Sequence, residues 1–269
     1  MMGNSERRWN LGLASILVIV GLSIAAAAVQ IYDKQLFSLL NSFHSPLTDI
    51  FWLSFTTLGD GLLICMILGC FLFINPRITV MGLAVFFLSS VAVNVVKAFF
   101  PCPRPLEIMQ YVHVVGPLLR WGSFPSGHTA AGFSACFVLM GYAQGNAAKS
   151  LVLAVASLIG LSRIFVGAHF PTDVLWGMIF ALITYNIVKM TLDKTIEKLV
   201  PDQPDFGHRV FRPLIYAQLA ATLFGLLVYS VKFAEYAPAA LAISIGTLVF
   251  MALKMHEQPP FQRTNRRLF

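Results

Sequence analysis

Residues 150–173 read SLVLAVASLIGLSRIFVGAHFPTD. From 150 to about 166 the run is apolar enough for a membrane helix, and Pro171 opens a second apolar run that reaches about 190. A helix of about 20 apolar residues crosses a hydrocarbon core about 30 Å thick. Arg163, His169 and Asp173 therefore stand at the facing ends of two spans. Polar groups at such places are costly and call for a functional explanation.

The same alternation continues in both directions. The chain has 57% hydrophobic and 12% charged residues and a mean hydropathy of +0.75, against roughly 25% charged in a soluble domain. Continuous apolar runs select helices over a barrel, so the expected fold is all-α and polytopic. Eight spans are expected, at about 11–29, 50–74, 78–100, 126–142, 150–166, 171–190, 213–231 and 237–254. Residues 30–48 read as an interfacial amphipathic segment. The first run follows Arg7 and Arg8 but lacks a clear small-residue cleavage site, so it reads as a retained anchor. Asp60, flanked by Gly59 and Gly61, reads first as a helix-capping or break position and second as a functional group. Cys65, Cys70, Cys102 and Cys136 suggest neither a disulfide framework nor a zinc site.

The formal charge of +7 is explained by membrane topology instead of nucleic-acid binding, because the basic residues lie in loops between spans. With the N-terminus inside, Arg7, Arg8, Arg77, Lys149, Lys189, Lys194, Lys198, Arg209, Arg212, Lys254, Arg263, Arg266 and Arg267 all fall inside. Outside lie Lys34, Lys97, Arg104, Arg120, Arg163 and Lys232. The bias puts both termini in the cytoplasm. It also puts Lys97, Arg104, His128, Arg163, His169 and Asp173 together at the outer face.

Three cations, two histidines and a carboxylate at one membrane face suit a phosphate. Arg104 and Arg163 offer planar forks and Lys97 a point charge. Pro103 and Pro105 hold Arg104 in an extended strut. The turn Ser126-Gly127-His128 opens the fourth span, where free backbone N–H groups favour an anion and Gly127 allows close approach. Asp173, four residues after His169, can orient its imidazole as a nucleophile toward phosphorus. His128 then suits protonation of the leaving oxygen. Charge on the equatorial oxygens is met by the cations, so this set requires no metal and no cofactor. His44, His113, His208 and His256 read as satisfied interfacial residues, and Arg120 with Trp121 as an interfacial anchor.

Lys97 to Pro105 resembles the K-x6-R-P element, Pro125 to His128 the P-S-G-H element, and Ser162 to Asp173 the S-R-x5-H-x3-D element of the type 2 phosphatidic acid phosphatase (PAP2) and haloperoxidase superfamily. All three occur in order without departure. The resemblance covers about residues 50–190 and implies the six-helix membrane core of bacterial members. It implies phosphate binding by Lys97, Arg104, Ser126, Gly127 and Arg163, with His169 as nucleophile, Asp173 as its partner, His128 as general acid and no metal. Around this core, residues 1–49 carry the first span and the interfacial segment, 191–212 a charged cytoplasmic linker, and 213–269 two extra spans with a basic tail. The expected protein is a lipid phosphatase of an inner (plasma) membrane with its site on the extracytoplasmic side. Its substrate is undecaprenyl diphosphate, slightly preferred, or phosphatidylglycerol phosphate, phosphatidate or lipid A phosphate, held by its tail in the bilayer. A phosphotransferase using the same histidine is the nearest alternative. A lipid or anion transporter is disfavoured because few charges lie within the spans.

Overall fold

A computed structural model describes residues 4–204, 211–232 and 238–257. Asp205, His208, Arg209, Arg263, Arg266 and Arg267 of the sequence reading lie outside the described residues. The described chain forms eleven α-helices: α1 (Asn4–Ile31), α2 (Asp33–Asn41), α3 (Pro46–Leu58), α4 (Gly61–Cys70), α5 (Pro76–Phe99), α6 (Pro105–Ile108), α7 (Gly127–Tyr142), α8 (Asn146–Phe165), α9 (Pro171–Leu199), α10 (Phe211–Lys232) and α11 (Pro238–Glu257). Local sequence explains their starts. Proline stands in the first turn of α3, α5, α6 and α9, where its missing N–H costs nothing. Ser45, Asp60, Asn75 and Ser126 cap the first turns of α3, α4, α5 and α7 with side-chain oxygens, satisfying otherwise orphaned donors.

Six helices are long and apolar enough to cross a membrane, or seven if α3 and α4 count as one bent span. The fourth span of the sequence reading, which is not among these, is α7, whose 16 residues make a helix about 24 Å long. It is the central helix, packed against α5, α8 and α9. Its buried face carries Ala130, Ala131, Gly132 and Ala135, and such small residues let neighbouring helices approach closely. At Gly177 of α9 the approach is tightest: a Cβ there would lie 2.6 Å from the Ser126 carbonyl oxygen and 3.0 Å from Thr129 Cβ.

Two expectations are corrected. The span over 50–74 is not one continuous helix. It breaks at Gly59–Asp60, where α3 and α4 meet at a 64° bend, because Asp60 is extended (ψ 135°) and caps α4 through Leu62 and Leu63 N–H. The sixth span does not stop near 190, since α9 continues to Leu199. Asp193, Lys194, Glu197 and Lys198 are thus in its last turns.

Two junctions place the elements end to end. The Asp33 carboxylate, at the start of α2, accepts from Thr172 N–H at the start of α9 at 2.9 Å. At the opposite end of the bundle, Arg77 donates to the carbonyls of Val200 (2.8 Å) and Glu197 (3.1 Å), neutralising the C-terminal end of the α9 dipole.

Candidate active site

Four helix ends meet at one end of the bundle: the last turns of α5 and α8 and the first turns of α7 and α9. The link 166–170 between α8 and α9 is a tight turn. The Arg163 carbonyl accepts from both Ala168 and His169 N–H at 3.0 Å. Gly167 takes φ +74°, and a Cβ there would fall 2.3 Å from the His113 carbonyl oxygen; only glycine satisfies both demands. The turn delivers His169, 1% exposed, beside buried Asp173.

Asp173 Oδ2 is the local acceptor hub. Ser123 Oγ donates to it at 2.5 Å and Phe170 N–H at 3.0 Å, while His169 Nδ1 stands at 3.4 Å. The carboxylate that faces the imidazole is therefore held mainly by Ser123 and the Phe170 backbone. His169 lies outside both flanking spans. Burial, then the charges of Arg104, Arg163 and Lys97, hold its pKa well below the ordinary 6.5, because each disfavours imidazolium.

Arg104 is extended at the start of α6 (φ −84°, ψ 165°) and buried. Its guanidinium donates to the carbonyls of Trp121 (3.0 Å), Ala168 (3.1 Å) and Gly122 (3.3 Å), tying the 101–124 loop to the His169 turn. Lys97 Nζ donates to the carbonyls of Gly122 and Ser123. Arg163, in the last turn of α8, donates from Nη1 to Thr56 Oγ1 of α3. Its Nε is buried with no acceptor among the described residues, which leaves a donor for an oxyanion.

Ser126 is fully buried and accepts from Thr129 N–H (3.4 Å) and Thr129 Oγ1 (2.8 Å). A hydroxyl that accepts twice still has its own proton to donate. A Cβ at Gly127 would meet nothing closer than Val93 Cγ1 at 3.9 Å, so packing does not demand glycine there. His128 is half-buried, within electrostatic reach of Arg163, His169, Arg104 and Lys97. All eight residues singled out from sequence thus gather at one end of the bundle. Among the described residues, no group of three His, Cys, Asp or Glu side chains could hold a metal ion.

Sequence reasoning missed Ser123 and Thr56, whose partners lie 50 and 107 residues away. It also missed the outer buttress of the site. Asn41 exchanges hydrogen bonds with the His113 backbone and donates to the Phe165 carbonyl. His113 Nε2 lies 3.0 Å from both Asp49 oxygens and stacks on His44 at 4.0 Å. Arg120 pairs with Glu107 at 2.9 Å.

The fold and the site together define a multi-pass, all-helical membrane protein with a buried cationic and histidine-bearing site at one bundle end. Residues 78–196 match the PAP2 superfamily. LpxE of Aquifex aeolicus, in its crystal structure, is 33% identical with a TM-score of 0.55, covering 59% of this chain and 94% of that one. The chain belongs to the PAP2 superfamily. A PAP2-type phosphatidylglycerolphosphate phosphatase from Bacillus subtilis shares the fold at 23% identity and a TM-score of 0.54, over 70% of this chain and 98% of that one. Lipid A 1-phosphatase of Rhizobium johnstonii is 34% identical over 34% of this chain, and undecaprenyl-diphosphatase BcrC of Bacillus subtilis 38% identical over 30%. The chain spans 37% and 40% of the length of these two curated relatives.

Proposed function

We propose that this protein is a metal-independent lipid phosphatase. It removes phosphate from a lipid phosphate or diphosphate through a phosphohistidine formed on His169. One observation carries the reading: three cations, two imidazoles and a buried carboxylate reach a single place from four helix ends, the 101–124 loop and the α8–α9 turn. Nδ1 of His169 faces Asp173, which leaves Nε2 to attack phosphorus. The new P–N bond forms as the P–O bond to the lipid breaks, and His128 gives its proton to the departing oxygen. Water then attacks phosphorus while giving a proton to His128, the P–N bond breaks with its electron pair returning to His169 Nε2, and inorganic phosphate leaves. Arg104, Arg163, Lys97, the Ser126 hydroxyl and the first amides of α7 meet the charge on the phosphoryl oxygens.

The substrate reading rests on what the relatives are named for: lipid A 1-phosphatase and undecaprenyl-diphosphatase among curated proteins, and a phosphatidylglycerolphosphate phosphatase among structures. A lipid whose tail stays in the bilayer while its head group reaches a helix-end site fits each. The charge bias of the loops supports an extracytoplasmic site in an inner (plasma) membrane with both termini cytoplasmic. Asp33 pairing with Thr172 and Arg77 binding the end of α9 put the start of α1 at the end of the bundle opposite the site.

The test is phosphate release from undecaprenyl diphosphate, phosphatidylglycerol phosphate, phosphatidate and lipid A phosphate in detergent with chelator present. Release from at least one of them supports the reading. Activity only after a divalent metal is restored overturns metal independence. Labelled phosphate appearing on a second lipid with none released identifies a transferase instead.

Ser123→Ala removes the shortest bond to Asp173. The expected result is a kcat lowered about tenfold, since a hydrogen bond to a charged group is worth about 1.5–3 kcal/mol, with KM changed less than twofold. Steady-state kinetics on the best lipid check it, and Ser123→Thr should recover most of the loss.

A further inference from the structure

Helices α10 and α11 lie outside residues 78–196 that match the family, yet they pack against α4 and α3. Two side chains of α10 reach across to α4. Gln218 Nε2 donates to the Met66 carbonyl at 3.1 Å. Nearer the site, the hydroxyl of Tyr229, 3% exposed, donates to Asp60 Oδ1. That same oxygen accepts from Leu62 N–H (2.9 Å) and Leu63 N–H (3.4 Å). Asp60 thus serves as the cap that lets α4 begin and as the anchor for α10.

The break held by Asp60 touches the site directly. A Cβ on Gly59 would lie 3.0 Å from the His128 carbonyl oxygen, 3.1 Å from His128 Cβ and 2.6 Å from Ile159 Cγ2. One turn earlier, Thr56 Oγ1 receives the Arg163 guanidinium. Asp60 is also a carboxylate within electrostatic reach of Arg163. A shift of the α3–α4 junction by a fraction of an ångström therefore moves the backbone carrying His128 and the acceptor that aims Arg163. Close-packed contacts of this kind transmit displacement instead of absorbing it.

We propose that Tyr229 and Asp60 form a positioning pair, through which the C-terminal hairpin fixes the α3–α4 break and so sets His128 and Arg163 for the phosphoryl group. The inference rests on the reading of His128 and Arg163 as phosphate-site residues. Tyr229 does not touch the site; it acts through Asp60. A carboxylate at a break within apolar surroundings is restrained by its donors. Removing the tyrosine hydroxyl leaves the cap bonds but cuts the tie between α10 and the α3–α4 break.

The experiment compares Tyr229→Phe with Gln218→Ala in the full-length protein in detergent. Gln218→Ala cuts the other α10–α4 tie without touching the break. Two quantities are read: the affinity for inorganic phosphate, from thermal shift against phosphate concentration, and kcat and KM for lipid phosphate release. For Tyr229→Phe the expectation is phosphate affinity and kcat each lowered about tenfold, in the range of coupling through packed neighbours. For Gln218→Ala the melting temperature falls while affinity and kcat stay within twofold of wild type. Wild-type phosphate affinity and kcat in Tyr229→Phe overturn the proposal. So do equal losses in both variants, which mark the hairpin as general support. Absence of release from any lipid by the wild type overturns the phosphatase reading, and the phosphate-affinity comparison still decides the positioning role. A wild type that binds no phosphate overturns both.

Discussion

His169→Ala is expected to lower kcat for phosphate release about 10⁶-fold, the scale seen when a covalent nucleophile is removed and the rest of a site remains. The cations keep their places without it. Arg104 is fixed by the carbonyls of Trp121, Gly122 and Ala168, and the turn is closed by the Ala168 and His169 backbone amides, which alanine retains. Inorganic phosphate should therefore still bind the variant within a few-fold of wild type. Brief mixing of labelled lipid with wild type should leave acid-labile label on the protein, and His169→Ala should leave none. Release at the wild-type rate by the variant would sink the phosphohistidine route. A pH profile adds a second check. Burial and three nearby cations favour neutral imidazole at His169, so the acid limb of kcat/KM that reports the free nucleophile lies below pH 6.5. The same depression makes stability fall with acid: the unfolded chain takes up the proton first, so the folded state loses ground as pH drops through and below 6.5.

Much of this arrangement is legible in the sequence because it is written at helix ends. A proline or a capping residue marks where α3, α5, α7 and α9 begin, and two of the polar clusters stand at the starts of α7 and α9. Local chemistry fixes Arg104 between two prolines and Asp173 one turn after His169. The broken span is less legible. Length and apolarity allow one helix from 50 to 74, and the Gly59-Asp60-Gly61 triplet signals only that a break is available. Asp60, which caps α4 there, also takes a hydrogen bond from Tyr229, 169 residues away. The reach of α9 past 190 is hidden for another reason. Asp193, Lys194, Glu197 and Lys198 end the apolar pattern, but Lys and Glu are good helix formers, so leaving the membrane core does not end the helix. Ser123 and Thr56 carry no signature of their own, since a buried hydroxyl becomes a positioning group only through the fold that brings it to Asp173 or Arg163.

Arg163→Lys separates charge from geometry at the residue most committed to the site. The native guanidinium spends Nη1 on Thr56 and keeps a buried Nε donor without an acceptor among the described residues. Held by one bond, it presents the rest of its planar fork. Lysine retains the positive charge, so Asp60 still has a cation in reach. A single ammonium cannot both bond Thr56 and offer a fork to two phosphoryl oxygens. The expected result is a kcat/KM lowered about 10²-fold, comparable with the loss of one oriented oxyanion donor, with a melting temperature near wild type. Arg163→Met should cost about 10³-fold on the same grounds and also lower the melting temperature, because Asp60 then loses that cation. The backbone carbonyl that closes the 163–169 turn is unchanged in both variants, so the loss reports the side chain. Full kcat/KM in Arg163→Lys would mean that the site reads positive charge alone, and that the tie to Thr56 has no part in aiming it.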